Sequence, residues 1–152
     1  MGKVNIHRTS ELEANIIGYA TYELKMGTLM NNGFDEDTKL GIISHELFHG
    51  YQRHMGNNPK TINAEVEAYA FERMMYTIPG SGSELGTSSK MGQQYTTTMR
   101  DFIMGYNVVD NYNKALHLFK NGSKANSLGA YKTHEIDHLY KSLLLDLINK
   151  YY

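Results

Sequence analysis

Residues 45–49 read His-Glu-Leu-Phe-His, a spacing that acquires meaning when the segment is helical. At 3.6 residues per turn, positions i and i+4 lie one above the other on the same face, so His45 and His49 can reach one ion. Glu46 is turned about 100° from His45 and stands beside such an ion rather than on it. The flanking residues favour a helix. Leu40, Ile43, Leu47 and Tyr51 recur at helical spacing as one apolar stripe, with Phe48 at its edge and His45 and His49 opposite. Asp35 or Asp37 can cap the first turn, and the helix is predicted from about Glu36 to about His54.

The rest of the composition narrows which ion and which chemistry. The chain has no cysteine, which excludes disulfides, iron–sulfur clusters and thiolate-held zinc, so a metal must be bound by histidine and carboxylate. A catalytic zinc takes three protein ligands and keeps a fourth position open. The three motif residues therefore predict two imidazole ligands, His45 and His49, and a carboxylate base, Glu46, that takes a proton from water as it attacks a carbonyl.

At 152 residues one domain with its own core is expected, 1–152, rather than two. A net charge of -1, with 15 basic and 16 acidic residues dispersed along the chain, gives no electrostatic footprint for nucleic acid or an anionic membrane. No run approaches the roughly 18 apolar residues of a membrane span, and Met1 to Ser10 lacks the apolar core of a signal peptide. Secreted and cytoplasmic locations are both compatible with these features, as is excision from a larger parent chain.

Elsewhere the pattern predicts an α+β fold, mainly helical, with a small N-terminal sheet. The run Ala14 to Lys25 (ANIIGYATYELK) is rich in β-branched and aromatic residues and alternates in part as a strand does. Asn57-Asn58-Pro59 predicts a turn, and Ile62, Val66, Tyr69 and Ala70 predict a second helix from Thr61 to about Tyr76. Ile78 to about Met91 reads as a loop. Further helices are predicted over about Gln94 to Met104, Asp110 to Lys120, and Lys132 to the C-terminus.

The stretch GIISHELFHGYQ followed by NAEVEAYAFE, within Leu40 to Glu72, resembles the zincin metallopeptidases, and among them small one-domain gluzincins of the HExxH...ExxA type. The resemblance implies a zincin-like domain, a zinc ion, hydrolysis of peptide bonds with Glu46 as general base, and a peptide or protein substrate laid along an edge strand, for which Ile17 to Leu24 is the candidate. It also implies a third ligand from the next helix. Glu65 and Glu67 both qualify but are about 200° apart on a helix, so one alone can serve; both have a small residue three positions on, Ala68 and Ala70, and in the resemblance the aromatic or polar position after the Ala favours Glu65. Glu72 is expected to be a solvated helix carboxylate. The metzincin pattern needs Gly and His where this chain has Gln52 and Met55. Thermolysin-like members carry Asp four residues after the ligand Glu; Tyr69 stands there instead, so the histidines must be oriented by another group.

The formal motif occurs twice, since residues 134–138 read His-Glu-Ile-Asp-His. Asp137 puts a charge inside it, and the residues that follow offer only Asp146 as a carboxylate. The expectation is an exposed face of a C-terminal helix whose apolar side is Leu139, Leu143, Leu144 and Leu147. A sharper alternative has His134, His138 or Tyr131 reaching over the zinc site to stabilise an oxyanion. His7 and His117 have no such context. Against the peptidase reading stands a catalytically degenerate zincin that binds zinc or a peptide as a sensor or interaction module, and either form is open to control by an inhibitory partner protein.

Overall fold

The computed structural model describes residues 3–7, 14–16, 21–25, 35–75, 89–122 and 131–151. The chain is mainly helical, with five helices among the described residues: α1 Glu36–His54, α2 Ile62–Met75, α3 Lys90–Ile103, α4 Val108–Asn121 and α5 Leu143–Tyr151. Of the run Ile17 to Leu24, expected to supply an edge strand, residues 17–20 lie outside the described residues.

α1 begins where the sequence implies. Asp35 accepts from the Thr38 backbone N–H at 2.7 Å, and Glu36 and Asp37 at the start with Arg53 and His54 at the end complement the helix dipole. Its orientation reverses the expected one. Leu40, Leu47 and Tyr51 are exposed, whereas Gly41, His45, Phe48, His49 and Gln52 are buried. The histidine face points inward because α2, against which it packs, is itself polar where the two meet. Hydrophobic periodicity therefore picked out the wrong side.

α2 is the central helix. Thr61 caps it by accepting from Ala64 N–H at 3.2 Å, and every residue from Thr61 to Ala70 is buried, Asn63, Glu65 and Glu67 included. Around it α3, α4 and α5 contribute Tyr95, Met99, Phe102, Phe119, Leu144 and Ile148 to one apolar core. α3 and α4 form a hairpin closed by residues 104–107, where Gly105 (φ 80°) and Asn107 (φ 41°) adopt the left-handed conformation that Gly and Asn tolerate. α3 starts at Lys90, earlier than predicted, because Ser89 accepts from Gly92 N–H at 2.9 Å and caps it. The loop predicted from Ile78 lies, as far as residue 88, outside the described residues.

The largest departure is C-terminal, where residues 131–142 form no helix and α5 covers only Leu143–Tyr151. Tertiary partners take the backbone groups a helix would use. Ile62 N–H donates to Glu135 C=O at 3.0 Å, and Asp137 N–H donates to Asn63 Oδ1 at 2.8 Å. The Asp137 carboxylate then accepts from Leu139 N–H at 2.9 Å, a local turn that competes with helix. Leu139, assigned above to an apolar side, is 89% exposed.

Candidate metal centre

One turn of α1 and one turn of α2 face each other across the buried site. His45 Nε2 and His49 Nε2 lie 3.1 Å apart, close to the about 3.3 Å expected for two nitrogens bound tetrahedrally at about 2.0–2.1 Å from one ion. Glu65 completes the triangle, with Oε2 3.5 Å from His45 Nε2 and Oε1 3.6 Å from His49 Nε2. The three ligand atoms lie within 4.8 Å of one another, all on buried residues. Glu65 Oε2 has no hydrogen-bond partner although it is buried, an expensive arrangement unless a cation sits among these acceptors. The donor set, two imidazoles and a carboxylate, suits zinc and similar borderline metals.

The electrostatics reinforce the cluster. Burial works against the charged form of His45, but Glu65 and Glu72, with help from Glu46, more than offset it and raise its pKa to about 9. Burial would likewise push Glu65 up, yet the adjacent His45 and His49 imidazoles, 3.5 and 3.6 Å away, hold it at about 2. Glu65 is therefore ionised at neutral pH. Glu46 is half-buried and is not among the three residues of the cluster; its charge acts on both His45 and Tyr131.

Glu67, the rival third ligand, belongs to another network. It accepts from Tyr140 Oη at 2.9 Å, from Ser142 Oγ, and from Leu144 N–H at 3.3 Å. Burial raises its pKa to about 6 despite those donors. Its carboxylate ties the C-terminal segment to α2.

Sequence reasoning missed the groups that hold the histidines. Glu72, expected in solvent, is about a quarter exposed and places Oε2 3.3 Å from His45 Nδ1, at ion-pair distance without a hydrogen bond. Gly41 makes room for it, since a Cβ there would meet Glu72 Oε1 at 3.1 Å. Tyr69 instead packs edge-on against the His45 ring, centroids 4.3 Å apart. Gln52, fully buried, contacts His49 Nδ1 through Oε1 at 2.8 Å. The signal available was spacing alone: Glu72 lies seven residues after Glu65, two helical turns further along the same face.

Of the second motif, one residue joins the site. His134 is buried, with Nε2 3.9 Å from Glu65 Oε1, and burial lowers its pKa, which favours the neutral ring. Tyr131 stacks edge-on with His134 and meets the Tyr69 hydroxyl at 3.3 Å; burial first, then the Glu65 charge, pushes its hydroxyl pKa upward. His138 and His117 are exposed, and both line a separate polar cavity of about 440 Å³. His7 lies in the extended segment Lys3–His7. Compared with protein-family profiles, with curated proteins and with solved structures, the chain matches none of them.

Proposed function

We propose that this chain is a zinc-dependent metallopeptidase of the gluzincin type, built on a small zincin-like α+β domain, with His45, His49 and Glu65 as the metal ligands and Glu46 as the general base. The observation that carries the reading is the convergence, in one cluster, of His45 Nε2, His49 Nε2 and a Glu65 carboxylate whose buried Oε2 accepts no hydrogen bond. A zinc ion held there supplies Lewis acidity, acidifying water and polarising a carbonyl oxygen.

The chain's own groups do the rest. Glu46 accepts the proton of the attacking water as its oxygen bonds to the carbonyl carbon, then returns it to the amine as the C–N bond breaks. His134 and Tyr131, both on the Glu65 side of the cluster, donate hydrogen bonds to the carbonyl oxygen as it gains charge. Tyr131 suits that role because its raised pKa keeps it protonated. Glu72 and Gln52 hold the imidazoles in place. The substrate is a peptide or a protein segment in extended form, laid along the edge of a small N-terminal sheet.

The test is a peptide-library digest by the zinc-loaded protein. Cleavage that stops on chelation and in Glu46→Gln, and returns to wild type when zinc is restored, is the expected result. Zinc bound without any zinc-dependent cleavage would overturn the peptidase reading in favour of a zinc- or peptide-binding module.

A further inference from the structure

The two ligand histidines are held by different kinds of partner, and the one that holds His49 is neutral. Gln52 is fully buried, so its amide must find a partner at each end. On one side lie Ala64 C=O, 3.0 Å from Nε2, and Glu67 Oε2, 3.5 Å from it. A backbone carbonyl can only accept, and so can an ionised carboxylate. The NH₂ end of Gln52 therefore has to face them. That leaves Oε1, an acceptor with no hydrogen to give, 2.8 Å from His49 Nδ1. A short contact with an acceptor is satisfied only if Nδ1 carries the proton.

We propose that Gln52 is a positioning residue that locks His49 in the Nδ1–H tautomer and leaves its Nε2 lone pair facing Glu65 and His45. The consequence for metal binding rests on the function proposed above; the tautomer itself does not. The chain of constraint runs from Ala64 C=O and Glu67 through the amide to the ring. Its orientation cannot be reversed, because a flipped amide would set oxygen against oxygen at Ala64 and Glu67. A His49 free to exchange tautomers would spend part of its time with a proton where a metal must bind, and outer-shell partners of this kind are worth about 10–100-fold in metal affinity.

The experiment uses the full chain, labelled with ¹⁵N at histidine. Long-range ¹H–¹⁵N spectra of the metal-free protein, at a pH where the His49 ring is neutral, read which nitrogen bears the proton. The expected result is the Nδ1–H form in wild type, its loss in Gln52→Met, and a fall of about 10–100-fold in zinc affinity, by chelator competition, in that variant. An Nε2–H tautomer in wild type overturns the proposal without recourse to any variant. So does a Gln52→Met protein that loses thermal stability but keeps both the wild-type tautomer and wild-type zinc affinity, since Gln52 would then be a packing residue only. Wild type in the Nδ1–H form that binds no zinc would overturn the metallopeptidase reading and leave the clamp standing.

Discussion

The pattern HExxH occurs twice in this chain, at 45–49 and at 134–138, and the two copies have little in common once folded. In the first, a capped nineteen-residue helix stacks His45 over His49 and turns both toward a buried carboxylate on α2. In the second the backbone is non-helical, bridged to the start of α2 through Glu135. His134 points at Glu65, while His138 sits exposed in another cavity. Glu135 is exposed and pairs with Lys120 Nζ at 2.6 Å. Three fixed letters make a metal site only where helical geometry brings the letters to one point.

The widest expected gap between the copies is at their glutamates. Glu46→Gln should cost roughly 10² to 10⁴-fold in turnover while retaining the metal, because a general base is lost and no ligand is. Glu135→Gln should leave turnover unchanged. Equal effects in a kcat assay, or loss of metal from Glu46→Gln, would break the distinction.

His134 is where the copies meet. If it stabilises the developing oxyanion, His134→Ala should lower kcat by about 10²-fold with zinc content intact, whereas His138→Ala should do nothing. Loss of zinc from His134→Ala would make it a ligand and redraw the site.

A smaller effect is expected at Glu72, which supports the first copy alone. Glu72→Ala should weaken zinc binding by about 10–100-fold in a chelator competition. Gly41→Ala, whose new Cβ would press on the Glu72 carboxylate, should weaken it in the same direction but less. Unchanged affinity in both would mean that the Tyr69 ring alone suffices to orient His45.

The smallest effect concerns stability and the segment after the second copy, which Glu67 ties down. Its pKa is raised by burial from 4.5 to about 6, so between those values the folded state binds more protons than the unfolded state. Stability is fully present below about pH 4.5 and falls as pH rises through 6, by about 2 kcal/mol at most. Urea unfolding across that window should show the decline in wild type and a flatter line in Glu67→Gln. An unchanged slope would assign it to other groups.

The pairing of His45 with His49 and the start of α1 were legible because their signals are local: Asp35 is a capping residue, and i, i+4 spacing is a property of any helix. The place of Glu65 beside the two histidines was legible only through the resemblance, since Glu65 and Glu67 look alike until their neighbours are known. The orientation of α1 was not legible. Leu40, Leu47 and Tyr51 make the more apolar stripe, yet the polar centre on α2 draws the histidine face inward, a tertiary demand that outweighs periodicity. The C-terminal misreading has the same origin. Leu139, Leu143, Leu144 and Leu147 are spaced as in a helix, but Asn63, Ile62 and the Asp137 turn claim the backbone before Leu143.

Zinc titration of the wild type and of the two α2 glutamate variants, by chelator competition at neutral pH, tests the central claim most directly. The expected result is one zinc per wild-type chain, a large loss of affinity in Glu65→Ala, and affinity near wild type in Glu67→Ala. Absence of zinc uptake by the wild type, or a loss confined to Glu67→Ala, would contradict it.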